Sequence, residues 1–121
     1  MALADEEEGQ RRHFEEMCVG GDDHQVYVAV AGGEIAGFVT VILDHRHALG
    51  EIGLNAVDPA HASKGIGTAM YRYALERMGE AGMKAATVGT GADDSHAPAR
   101  AAYAKAGFDR AIPGVHLYRA L

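Results

Sequence analysis

The residues with most chemical promise stand together in Val57-Asp-Pro-Ala-His-Ala-Ser-Lys-Gly-Ile-Gly67, where a strand-like run ends in a polar turn that enters a helical pattern. The first turn of a helix has amides without intrahelical partners and lies at the positive end of the dipole, so an anion is favoured there. Gly65 and Gly67 let backbone approach a phosphate closely, while Lys64 and Thr68 add a cation and a hydroxyl. A pyrophosphate is the guest this arrangement predicts. The triphosphate loop G-x-x-x-x-G-K-[ST] is absent, and a dinucleotide fingerprint would need glycine where Met70 stands. His45-x-His47 has no third ligand in view and reads as a solvated turn, so no metal is expected. His61 is expected to face solvent beside the phosphate turn, and His13 and Cys18 are too far apart on one predicted helix to act as a nucleophilic pair.

The elements that must position this turn follow from periodicity. Residues 2–19 are rich in helix formers and stop at Gly20-Gly21, which predicts an N-terminal helix. Residues 25–31 and 34–43, separated by Gly32-Gly33, predict a β-hairpin, and 51–57 predicts a third antiparallel strand ending at Asp58-Pro59. Ile66, Ala69, Met70, Tyr73, Ala74, Met78 and Ala81 recur at three- and four-residue steps and predict a helix that Gly82 ends. A buried strand is expected over 84–90, then a helix over 97–106 with Ser95 as its cap, then two short strands within 107–119. This is an α+β, or mixed α/β, chain built around a strand, helix and strand unit.

With 121 residues the chain holds one domain and one core. A formal charge of −6 argues against a nucleic-acid surface, which needs clustered basic groups. One cysteine rules out an internal disulfide, no run reaches the roughly twenty apolar residues of a membrane span, and the acidic N-terminus is unlike a signal peptide. A soluble cytoplasmic protein is the expectation.

Three blocks in order resemble the GNAT superfamily of N-acetyltransferases over about residues 25–120. Val57-x-Pro is followed six residues on by Gly65-Ile-Gly67, the central helix ends at Gly82 before a strand, and a third block runs from His96 to Phe108. That block, His-Ala-Pro-Ala-Arg-Ala-Ala-Tyr-Ala-Lys-Ala-Gly-Phe, is similar to the family's N-x-x-A-x-x-x-Y-x-K-x-G-F helix. The coenzyme A signature R/Q-x-x-G-x-G/A matches at both glycines, with Ala62 at its leading position and Ser63 in place of the usual small glycine.

The resemblance implies a twisted, mostly antiparallel sheet whose central strands splay to admit acetyl-CoA, with flanking helices. It implies backbone pairing of Asn55, Ala56 and Val57 with the pantetheine arm, and a pyrophosphate on the amides of Ala62, Ser63, Lys64, Gly65, Ile66, Gly67 and Thr68. His96 stands where the family commonly has an asparagine that touches pantetheine, and Tyr103 where it has a tyrosine aimed at the sulfur. Glu51 opens the strand where several members carry a general base. A base is useful, because an amine of pKa near 10.4 is neutral in only about one molecule per thousand at pH 7.4, a barrier of about 4 kcal/mol.

The implied activity is transfer of an acetyl group from acetyl-CoA to a primary amine, on a small molecule or on a protein or peptide, by direct attack within a ternary complex. A non-catalytic acyl-CoA sensor, or a subunit that needs a partner, is the alternative suggested by Ala62 and by a front end with room for one helix. Lacking a first strand, the sheet would leave 25–31 as an open edge, which predicts a homodimer.

Overall fold

The computed structural model describes residues 2–7, 10–18, 23–62 and 64–121. Six strands form one sheet in chain order: β1 (Ala2–Glu7), β2 (Gln10–Cys18), β3 (His24–Ala31), β4 (Glu34–Asp44), β5 (Leu49–Val57) and β6 (Ala85–Val88). Neighbours are antiparallel up to β5, and β6 then lies parallel to β5. The crossover between those two carries helix α1 (Ile66–Glu80), and α2 (Ala97–Lys105) follows β6. Among the described residues no helix is long and apolar enough to cross a membrane.

The hairpin, the third strand and the central helix stand where periodicity puts them. The N-terminal helix does not form: 2–7 and 10–18 are strands, and Glu8, Gly9, Val19 and Gly20 lie outside the described residues. Helix propensity is a weak preference, and here the backbone of β3 offers a full ladder that a helix would leave unmet. The register runs from Ala2 opposite Glu15 to Glu7 opposite Gln10, so residues 2–7 find their own ladder along β2. β3 is therefore covered on both sides, which removes the open edge on which the dimer expectation rested.

Two further corrections fall at the other end. β6 covers only Ala85–Val88, is half-exposed rather than buried, and among the described residues pairs with β5 alone. No strand forms after it: beyond Gly107 the chain runs without regular structure to Leu121, with Val115, Leu117 and Tyr118 at least 85% exposed. Alternation like that of Val115–Arg119 holds as a strand only when paired, and it has no ladder here.

The core lies on one face of the sheet. Tyr27, Ala29, Val39, Val41, Leu43 and Ile52 meet Ile66, Met70, Tyr73, Ala74 and Met78 of α1, and Tyr27 packs edge-to-face on Tyr73 at 5.2 Å. Two glycines let α1 lie close. A Cβ on Gly50 would stand 2.5 Å from Met78 Sδ, and one on Gly37 would stand 3.0 Å from Met70 Sδ.

β5 is not a regular strand. Val39 faces Asn55 and Val41 faces Ile52, so Gly53 and Leu54 together oppose Thr40, whose hydroxyl donates to Leu54 O at 3.2 Å. Such a bulge reverses the alternation of the strand beyond it. Gly50 and Ile52 face α1 before the bulge, and Asn55 and Val57 face it afterwards, while Glu51 and Leu54 point the other way and are exposed.

Candidate active site

β5 and β6 form a fork. Their parallel pairing runs from Leu49↔Ala85 to Ile52↔Val88, after which β6 ends and β5 continues to Val57. Among the described residues β5 beyond Ile52 has ladder partners only in β4, so its other edge presents backbone groups suited to an extended ligand.

A side-chain network sits at the point of divergence. Asn55 Nδ2 donates to Tyr103 Oη at 3.1 Å and to Gly53 O at 3.2 Å, and Asn55 Oδ1 accepts from Tyr71 Oη at 2.7 Å. The rings of Tyr71 and Tyr103 stack tilted at 4.5 Å, and Phe108 meets Tyr103 edge-on at 5.9 Å. Both tyrosines are buried, and burial pushes the Tyr71 hydroxyl well above its ordinary pKa, with Tyr103 adding to the rise. Tyr103, expected from the sequence, is thus at the fork. Asn55 is there too, but through its side chain as well as its backbone. Tyr71 was not among the expected residues, and one aromatic on a helix gave no signal that would have singled it out.

The phosphate turn is built from local rules. Asp58 Oδ1 accepts from Ala60 N at 3.0 Å and caps the 3₁₀ turn Pro59–His61. Ala62 N–H, expected to meet the pyrophosphate, donates to Pro59 O at 3.2 Å instead; Ser63 lies outside the described residues. Gly65 caps α1 at φ +76°, a conformation that glycine alone adopts freely, and the amides of Ile66, Gly67 and Thr68 form the first turn.

The remaining expected residues divide by face and by partner. Glu51 is exposed on the face away from α1, where a groove of about 550 Å³ is lined by Val26, Thr40, Ile42 and Leu54 among others. His96 caps α2 in place of the expected Ser95, with Nδ1 2.6 Å from Asp93 Oδ1 and 3.2 Å from Ser95 Oγ. Hydrogen bonds from Ser95 and His96 hold the Asp93 carboxyl down at a pKa of about 2. His61 departs from expectation: its side chain is only 14% exposed and lies 3.4 Å from Glu34 Oε2. His45 and His47 do not converge, since each pairs with its own carboxylate, Asp23 at 3.2 Å and Asp44 at 2.7 Å. The side chains of His13 and Cys18 lie outside the described ones.

This sheet, with its forked strands and glycine-capped central helix, defines a class, and comparison identifies it. The sequence profile of the Acetyltransferase (GNAT) family matches residues 2–108, so the likeness extends through β1 and β2. The chain belongs to that family and is an acyltransferase, and acetyl-CoA is the acyl donor its family uses.

Among solved structures, an aminoglycoside acetyltransferase from an uncultured soil metagenomic sample, solved with sisomicin, superposes with TM-score 0.71 at 22% identity. The match covers 84% of this chain and 68% of that one. The ribosomal-protein-S18-alanine N-acetyltransferase of Escherichia coli gives 0.66 at 22% identity over 76% and 57% of the two chains. A Bacillus subtilis acetyltransferase solved with CoA gives 0.63 at 29% identity over 70% and 54%. Comparison with curated protein sequences gives no match.

Proposed function

We propose that the chain acetylates a primary amine from acetyl-CoA by direct attack in a ternary complex, with Glu51 as general base and Tyr103 as general acid. The observation that carries this reading is the Tyr103 hydroxyl, held by Asn55 where β5 and β6 part. When bound, acetyl-CoA supplies the acyl thioester. The amides from Lys64 to Thr68 hold its pyrophosphate, and the backbone of Asn55, Ala56 and Val57 pairs with its extended arm. His96, whose Nδ1 is engaged by Asp93, has Nε2 left to touch that arm. A strand amide near Asn55–Val57 polarises the thioester oxygen.

The two proton movements take place on opposite faces. As the C–N bond forms, the amine proton passes through one water to Glu51; as the C–S bond breaks, the Tyr103 proton goes to sulfur. The acceptor enters from the face that bears Glu51, along the apolar groove beside Thr40 and Leu54. It is an amine on a small molecule or on a protein or peptide, as in the structurally similar enzymes, whose names include an aminoglycoside, glucosamine-6-phosphate and a ribosomal-protein alanine.

The charge of −6 and the single cysteine support a cytoplasmic enzyme that does not bind nucleic acid. We also read the working form as a homodimer, now because Ile112, Val115, Leu117 and Tyr118 are apolar surface that a second copy would cover; a monomer by light scattering at assay concentration would contradict this.

Calorimetry with acetyl-CoA followed by thiol release on an amine panel tests the reaction, and acceptor-stimulated release is expected. Tyr103→Phe should lower turnover about 100-fold, the low end for general acid catalysis. Unchanged turnover from pH 6 to 9 would remove Tyr103 from the reaction.

A further inference from the structure

The geometry points to Asn55 and Tyr71 as positioning residues that fix the direction in which the Tyr103 hydroxyl donates its proton, an inference that rests on the proposed role of Tyr103. The polarity of the network is determined by atoms that cannot exchange roles. A backbone carbonyl only accepts, so the contact at Gly53 O identifies the nearby atom of the Asn55 amide as nitrogen. Its second hydrogen then goes to Tyr103 Oη, and the amide oxygen on the other side takes the proton of Tyr71. Tyr103 is an acceptor in this network, and its own hydrogen is the one left to give.

The same order of bonds favours giving it. When Tyr103 passes its proton to the departing sulfur, the phenolate left behind keeps the N–H of Asn55, and water returns the proton afterwards. Donation from Tyr71 to the amide oxygen polarises that N–H further. Burial keeps the Tyr71 hydroxyl protonated, so it stays a donor throughout.

The bulge at Gly53 and Leu54 completes the device. It turns Asn55 onto the face of α1 and brings the Gly53 carbonyl under the amide. Among the described residues the titratable group in contact with Tyr103 is Tyr71; the nearby guanidinium groups of Arg72 and Arg100 are held by carbonyls, of Lys105 and of Gly91 and Asp93.

Asn55→Asp is the discriminating variant. It keeps the shape and still accepts from Tyr71, but a carboxylate accepts from Tyr103 as well and draws its proton inward. The assay is kcat against pH with acetyl-CoA and an acceptor, together with 13C-labelled tyrosine NMR titration of the ligand-free protein. Asn55→Asp should lower kcat by about 100-fold, and Tyr71→Phe by about 10-fold, the scale of one hydrogen bond, with KM for acetyl-CoA within about twofold. The Tyr103 resonance should titrate at least about one pH unit higher in Asn55→Asp than in the wild type.

Wild-type kcat in folded Asn55→Asp, a loss confined to KM, or an unmoved Tyr103 titration would each overturn the inference. Full turnover in Tyr103→Phe would instead sink the general-acid reading, while the NMR titration still judges the network by itself. If Asn55→Asp fails to fold, Asn55→Leu takes its place: loss of the N–H should again raise the Tyr103 titration, and no rise refutes the proposal.

Discussion

Gly65→Ala separates backbone strain from every other effect at the phosphate turn. Gly65 caps α1 at φ +76°, and a Cβ placed on it would meet no atom within 4 Å. Crowding therefore contributes nothing, and the cost is that of holding an L-residue in the left-handed region, roughly 1–2 kcal/mol. Alanine also stiffens the unfolded chain, which returns about 0.4–1 kcal/mol and leaves a net loss on the order of 1 kcal/mol. In a chain of this size that is a fall in Tm of about 2–6 °C. If the turn instead relaxes in the free protein, ligand binding must restore it, and the same strain raises the Kd for CoA by about 5- to 25-fold. Scanning calorimetry and isothermal titration of the same samples read both quantities. Gly65→Asn should lie between wild type and Gly65→Ala, because asparagine visits this region more readily. Gly65→Ala matching wild type in both Tm and Kd, or Gly65→Asn proving worse than Gly65→Ala, would refute the reasoning.

Other outcomes follow from features already described. Glu51→Gln should lower kcat by about 100-fold or more at pH 7, with less loss at higher pH where more of the amine is neutral, and a pH-independent loss would exclude its role as base. Gly50→Ala should destabilise the fold by about 1–3 kcal/mol because Met78 Sδ stands 2.5 Å from the new carbon, and pairing it with Met78→Ala should cost less than the sum of the two, measured by urea unfolding. Asp93 is held at a pKa of about 2, below its unfolded value, so the stability it adds is present above about pH 4 and is lost as pH falls through about 2. The Tm difference between wild type and Asp93→Asn should therefore be seen at pH 6 and vanish by about pH 2, and a constant difference would show that the carboxylate is not the cause.

Much of the centre was legible because its signals are local. Gly32-Gly33 marks the hairpin turn, the three- and four-residue steps of Ile66, Met70, Tyr73 and Met78 mark the buried face of α1, and Gly65 and Gly82 bound that helix with positive φ. The N-terminus forms strands instead of the expected helix because Ala, Leu, Glu and Arg favour helix only in the absence of a competing ladder, and here β3 offers one to residues 10–18, which in turn offer one to residues 2–7. The last strands were misread for the converse reason, since the alternation of Val115–Arg119 describes a capacity to pair and names no partner. Asn55 was expected to act through its backbone. Its side-chain role depends on one extra residue in β5, and a bulge leaves the hydrophobic alternation too little changed to be read from the sequence. Solvent is the expectation for His61 from its neighbours in the turn, whereas its contact, Glu34, comes from the start of β4, distant in sequence.

The extra residue between Ile52 and Asn55 has a consequence for how such a protein can diversify. In an unbroken strand Glu51 and Asn55 would share one surface, and any remodelling around one would disturb the other. Reversing the strand between them gives each a separate neighbourhood, one roofed by aromatic rings and one open to water. Under the proposed function, substitutions along Val26, Ile42 and Leu54 would then retune which acceptors enter on the open side and leave the roofed network of Asn55, Tyr71 and Tyr103 in place.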